Sequence, residues 1–161
     1  MKLSTKSTYG LRAMLAIALN GNTGATSVAD IARKEGISVS YLEQLLNKLR
    51  RKGLVSSLRG AKGGYVLTGP ADTITVGAIV KTLEGSISPV HCVSSAKGHA
   101  AACKNGKGCV PKIVWFKLAR AIDDCLESIT LKDLCDETAR ISGGGTFPGK
   151  RKSRAGARSA A

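Results

Sequence analysis

Ser38–Tyr65 reads SVSYLEQLLNKLRRKGLVSSLRGAKGGY, and its two halves follow two different periods. In the first half Leu42, Leu45, Leu46 and Leu49 recur at i, i+3, i+4 and i+7, the spacing of one buried helix face. That leaves Ser40, Tyr41, Gln44, Lys48 and Arg51 nearer the outside. Ser38 or Ser40 can cap the helix, and Glu43 follows Ser40 by three residues, the spacing of a capping box. In the second half, after Lys52-Gly53, the β-permissive runs Leu54–Leu58 and Tyr65–Leu67 flank Arg59-Gly60-Ala61-Lys62-Gly63-Gly64. Three glycines within five residues, Gly60 among them, form a turn whose backbone can approach another surface closely. Arg59 and Lys62 require that surface to be negative. A helix with a polar outer face and a basic hairpin directly after it are the reading helix and wing of a winged helix-turn-helix. Arginine at such a tip suits a narrow minor groove. A phosphate-cradling loop would need a following helix and a GK[ST] signature, and this stretch has neither.

Upstream, TSVADIARKEGI (26–37) predicts a short helix with Ser27 as its cap, Asp30 at capping-box spacing and Gly36 as its stop. This supplies the first helix of the pair. By itself a pair of helices around a glycine turn would serve any αα-hairpin; the wing decides between them. KSTYGLRAMLAIALN (6–20) predicts an amphipathic helix with Leu11, Met14, Leu15 and Ala18 inward.

Downstream, Gly69-Pro70 breaks the chain, and Thr75 caps a helix to about Glu84 with Val76, Ile79, Val80 and Leu83 on one face, packing back on the first helix. Ser86–Val110 then has no usable periodicity, and a loop of 25 residues inside a small domain needs a reason. It holds Cys92, Cys103 and Cys109 and both histidines, His91 and His99. Pro111 opens a long helix, about 111–129, striped with Trp115, Leu118, Ile122, Cys125, Leu126 and Ile129; facing stripes of this kind pair subunits. Thr130 and Asp133 box a last short helix to about Ile141, and a basic tail follows, expected to be disordered and to strengthen DNA binding non-specifically. The expected architecture is mainly α. It comprises a winged helix-turn-helix (1–84), a cysteine-rich cluster-binding loop (85–110), a dimerisation helix with a short last helix (111–141) and the tail (142–161).

The residues of the reader resemble a known family. MKLSTKSTYGLRAML, ISVSYLEQLLNKLRRKGLVSSLRGAKGGYVL and the ITL-D-L pattern at 129–134 are similar to the IscR-type bacterial winged-helix regulators, whose relatives include the NsrR, RirA and CymR types. The likeness covers roughly residues 1–140. It implies a homodimeric, cytoplasmic transcription regulator that binds double-stranded DNA and often carries an iron–sulfur cluster, 2Fe-2S or 4Fe-4S. By position it implies Ser38, Ser40, Tyr41 and Gln44 at the groove, Arg59 in the minor groove, and Cys92, Cys103 and Cys109 on the cluster. The spacing Cys92-x10-Cys103-x5-Cys109 has a longer first gap than the family pattern. The histidine that IscR carries three residues after the third cysteine is Lys112 here, and Lys6-Ser7-Thr8-Tyr9 lacks the acid of the NsrR type. The fourth ligand stays open among His91, His99, a small molecule or water, and a partner-chain residue.

Composition agrees with this reading. The net charge of +14 is unevenly spread: residues 1–62 hold eleven Lys/Arg against three acids, whereas 121–142 hold six acids against Lys132 and Arg140. One basic face meeting a polyanion explains that asymmetry. Five cysteines in a cytoplasmic chain argue for metal or redox chemistry over disulfides. Three thiolates on a loop suit an iron–sulfur cluster; structural zinc would want a close C-x2–4-C pair, and a metal-free thiol sensor is the third option. Cys125 and Cys135 fall on helical stripes and read as buried small hydrophobes. Ser-His-Asp, HExxH and phosphate-loop patterns are all missing, so enzyme classes are excluded, and neither a signal peptide nor a membrane segment is expected. A CymR-like regulator controlled by a protein partner or thiol oxidation, without a cluster, is the alternative.

Overall fold

In the computed structural model the described residues are 4–21, 24–60, 63–85, 87–90, 93 and 109–143. They form α1 (Thr5–Leu19), α2 (Val28–Glu35), α3 (Val39–Arg51), β1 (Val55–Leu58), β2 (Gly64–Leu67), α4 (Val76–Glu84), α5 (Lys112–Glu127) and α6 (Leu131–Ser142). The fold is a mostly helical winged helix-turn-helix with one small antiparallel sheet.

Local chemistry sets the boundaries of the reader. Ser27 accepts a hydrogen bond from the Asp30 amide at 3.4 Å and starts α2, and Gly36, at φ 65°, ends it in the left-handed conformation that glycine adopts without strain. Ser38 then caps α3 by accepting from the Tyr41 amide at 3.2 Å. The expected box between Ser40 and Glu43 does not form, because α3 begins at Val39 and Ser40 already lies inside it. The Asp30 carboxylate is likewise turned away from Ser27 toward Arg33. The reciprocal box forms at Thr130 and Asp133, whose carboxylate accepts from the Thr130 amide at 2.8 Å.

The core is built on α3. Leu42, Leu45, Leu46 and Leu49 are essentially excluded from water and meet Met14 and Ile17 of α1 and Ile79 of α4. Each buried leucine stabilises the fold by roughly 1.5–3 kcal/mol. On α1 the buried face is Ser7, Gly10, Ala13, Met14 and Ile17. Leu11, Leu15 and Ala18, expected inward, are only half-buried. The cause is α4, which lies so close that Leu83 fills the space a side chain at Gly10 would need. The small face of α1 turns inward to admit it.

In the wing, Val55 pairs with Leu67, Ser56 with Val66, Ser57 with Tyr65 and Leu58 with Gly64. Thr26 and Tyr65 exchange both backbone hydrogen bonds at 2.9 Å, which fastens the wing to the start of the helix pair. Gly64 sits against the Thr26 carbonyl, where any Cβ would clash.

The α5–α6 arm is joined to α4 by backbone and side chains. The Val76 amide donates to Ile129 at 2.8 Å and the Leu131 amide to Ile74 at 2.9 Å. Glu127 accepts from Thr75 at 2.6 Å and from Lys81 at 2.9 Å, and Asp123 also faces Lys81 at 3.3 Å. Gly77 lets Glu127 approach this closely, since a Cβ there would lie 2.5 Å from the carboxylate carbon. The α5 stripe read as one face divides into two. Ile122, Leu126 and Ile129 pack on Val76, Val80 and Ile87, whereas Trp115, Leu118 and Cys125 stay exposed, as does the neighbouring Val114. Cys125 is therefore not the buried hydrophobe expected, and Cys135 is half-buried. Among the described residues, no helix is long and apolar enough to cross a membrane.

Candidate nucleic-acid interface

Opposite its leucine face, α3 presents Ser40, Gln44 and Arg51, all exposed. Asn47 falls on the same line, at i+7 from Ser40, and is the position that reading by outward polarity alone passed over; the helical spacing would have found it. Ser38 is exposed at the N-terminus of α3, where the amides and the positive end of the helix dipole favour an anion. Tyr41 differs from the others. It is half-buried, its ring meets Tyr9 edge-on at 6.3 Å, and its hydroxyl lies 3.3 Å from Thr5 Oγ1. It ties α3 to the start of α1.

The wing carries Arg59 and Gly60, both exposed; Gly60 has φ 124° and its carbonyl accepts from Gly63 at 2.9 Å. Lys62 lies outside the described residues, as do Cys92, Cys103, His91, His99 and the tail from residue 144. Arg50 reaches from α3 to Ser57 of β1 at 3.4 Å, so helix and wing are linked by a cation.

Charge is sorted across the molecule. Glu35 is paired with Arg12 at 2.8 Å and Asp30 with Arg33, so two of the three acids in the reader are neutralised locally. Lys48 and Arg51 of α3 and Arg59 of the wing are exposed without an ion-pair partner among the described residues, as is Lys52, which lies beside Ala78 and Thr82 of α4. Four of the six acids of α5 and α6 are ion-paired within the arm or to α4: Asp123 and Glu127 with Lys81, Asp136 with Lys132, and Glu137 with Arg140. The hydrogen bond from Thr75, followed by that from Lys81, holds the Glu127 carboxyl below its ordinary range, and the Glu127 contact raises Lys81 in turn. At the other end of α4, Glu84 accepts from the Ser4 amide (2.9 Å), the Ser4 hydroxyl (2.5 Å) and the Ser7 hydroxyl (2.6 Å). Burial opposes its ionisation, but these three donors outweigh burial and lower its pKa.

Of the three loop cysteines, Cys109 is described. It is a free, half-buried thiol in the turn that opens α5, its carbonyl accepting from the Lys112 amide at 3.1 Å. The described residues contain no cluster of three or more His, Cys, Asp or Glu side chains that would hold a metal. Burial, followed by the nearby Asp136, pushes the Cys135 thiol up, away from the thiolate form a ligand needs.

The family model Rrf2, described as an iron-dependent transcriptional regulator, matches residues 3–137, which takes in the reader, the wing and the arm. The chain belongs to the Rrf2 family. Among its relatives is the HTH-type transcriptional regulator IscR of Erwinia tasmaniensis, 40% identical over 134 residues, 83% of this chain and 78% of that protein. Among solved structures, the Rrf2 chain is similar to CymR (YrzC), the global cysteine regulator of B. subtilis, with a TM-score of 0.71, 40% identity and coverage of 85% and 98% of the two chains. It is also similar to T. potens IscR, with a TM-score of 0.68, 38% identity and coverage of 86% and 88%. The Rrf2 chain is thus a DNA-binding transcription regulator and not an enzyme.

Proposed function

We propose that this regulator reads two DNA half-sites as a homodimer, and that an iron–sulfur cluster on Cys92, Cys103 and Cys109 sets how it reads them. The observation that carries the proposal is the pairing of two outward faces. One is the polar line Ser40, Gln44, Asn47 and Arg51 beside the basic wing, sized for a major groove with Arg59 at the adjacent minor groove. The other is the apolar line Val114, Leu118, Ala121 and Cys125 on α5, exposed in the single chain and spaced 4, 3 and 4 as in a coiled-coil seam.

The cysteines fit the cluster by donor chemistry. Cys109 offers a free thiol partly open to solvent at the foot of the seam helix, and the other two belong to the same connection. Held there, a 2Fe-2S or 4Fe-4S cluster would supply an iron- and redox-responsive group with an incomplete protein ligand set. His91 and His99 are the candidate fourth ligands. The chain's own residues give the segment leverage. Ile87 anchors its first end against Val76 and Val80 of α4, and Cys109–Val110 leads directly into α5. Ordering between those ends biases the angle between reader and seam, and so the separation of the two reading heads.

The likeness to CymR supports a second reading, in which thiol oxidation or a protein partner acts on the same segment without a cluster. Anaerobic purification with an absorption spectrum and iron and sulfide analysis separates the two. We expect a coloured protein whose visible absorbance disappears in Cys92→Ala and whose affinity for a duplex selected from random sequence changes with it. A colourless, iron-free protein would overturn the cluster reading, and equal DNA binding in both states would overturn the coupling.

A further inference from the structure

A cavity of about 630 Å³ opens between the C-terminal half of α4 and the N-terminal half of α5, within the size range of small-molecule sites. Ile87, Val93 and Phe116 give it an apolar wall, and Lys117 and Arg120 stand one helical turn apart on its α5 side. The cations in it are not equivalent. Lys81 is matched by Asp123 and Glu127, so it brings no unbalanced charge. Lys117 and Arg120 have no acidic partner among the described residues, so two unpaired cations stand beside an apolar surface, and the second acid on Lys81 leaves the whole group at a net +1. Its opposite side is the carbonyl end of α4 at Gly85, where the helix dipole is negative. An anionic head is therefore drawn to α5 and repelled from α4, which gives a ligand one orientation. The cavity borders no residue of α3 or of the wing, so the duplex read there does not account for these cations.

We propose that this cavity is an effector site for a small amphipathic organic anion, its acidic head on Lys117 and Arg120 and its apolar body against Ile87, Val93 and Phe116. Such a ligand touches α4 and α5 at once and reports to the joint that sets the reading heads, independently of any metal. The proposal requires neither the cluster nor the cysteines.

The test uses the full chain with 1-anilinonaphthalene-8-sulfonate, an aromatic anion of suitable size, and its uncharged parent N-phenyl-1-naphthylamine, both followed by fluorescence. The sulfonate should bind saturably at one per chain. The double variant Lys117→Ala/Arg120→Ala, at two exposed positions, should weaken it at least tenfold (~1.4 kcal/mol) and leave the uncharged parent unaffected. Phe116→Ala should weaken both dyes, and Lys117→Arg/Arg120→Lys should restore sulfonate binding. Sulfonate affinity unchanged in the double variant would place the dye on the apolar seam and overturn the site, as would non-saturating binding. Loss of DNA affinity in the double variant with intact dye binding would assign the two cations to the duplex and equally overturn it. Iron and sulfide content tests the cluster and these variants test the cavity, so either idea fails without the other.

Discussion

At the scale of single residues, the proposed reading helix would separate groups that position the protein from groups that distinguish bases. Gln44 is exposed on the groove line, and its amide can pair bidentately with an adenine edge, whereas Arg51 and Lys48 carry charge that any phosphate would satisfy. Gln44→Ala should therefore cost about 1–3 kcal/mol on a selected duplex and almost nothing on random DNA. Arg51→Ala should weaken both equally and flatten the salt dependence by about one counterion. Fluorescence anisotropy on the two duplexes at several salt concentrations checks this, and equal losses for Gln44→Ala on both would remove it from base reading. Most of this line was legible before the fold, because four leucines at helical spacing leave only one face for polar side chains. Tyr41 was less so. Its partners, Tyr9 and Thr5, lie about thirty residues upstream, and a contact between α1 and α3 leaves no local pattern in either helix.

At the scale of elements, the helices, their caps and the packing of α4 back on α1 were readable, and how closely those two helices approach was not. Ser27, Thr75 and Thr130 act as caps because their hydroxyls follow short-range rules. The inward turn of the Ser7–Gly10 face of α1 depends on α4, whose distance from α1 is set by Leu83 and is invisible in the α1 sequence. The same contact creates the Glu84 junction, where the end of α4 holds the start of α1 at Ser4 and Ser7. Its pH dependence has a definite sign. Glu84 has a native pKa below its ordinary 4.5, so the stability it contributes is complete above that value and is lost as pH falls through the lower native one. Glu84→Gln should destabilise the fold by about 1–2 kcal/mol near neutrality, since an amide accepts these hydrogen bonds less strongly than a carboxylate. The gap between variant and parent should shrink as pH drops below 4.5, where the parent protonates the same group. Urea unfolding at pH 7 and pH 3 measures it, and a gap constant with pH would show that the junction does not depend on the carboxylate charge.

At the scale of the whole molecule, the single chain leaves unfinished what its sequence implied only in part. Among the described residues nine large apolar side chains are exposed, and six of them, Val110, Ile113, Val114, Trp115, Phe116 and Leu118, cluster in and just before the first two turns of α5. Periodicity identified α5 as amphipathic but merged two stripes, because residues on neighbouring faces of one helix share a sequence spacing until a packed neighbour separates them. Once Ile122, Leu126 and Ile129 are seen to face α4, the remaining line of Val114, Leu118, Ala121 and Cys125 needs another surface. In the proposed homodimer a second copy of α5 would supply it with self-complementary geometry, and the resulting two-fold axis would give two reading heads the symmetry of a palindromic duplex. Leu118 lies mid-seam and is 43% exposed in the single chain, so Leu118→Glu should leave the fold of each chain intact while placing two like charges across the axis. Sedimentation should then report a monomer with an unchanged far-ultraviolet circular dichroism spectrum. Affinity for a duplex with two half-sites should fall to that for a single half-site, because the second head no longer binds at high effective concentration. A Leu118→Glu protein that remains dimeric, or that still prefers two half-sites to one, would place the subunit interface elsewhere and leave the apolar line on α5 without its partner.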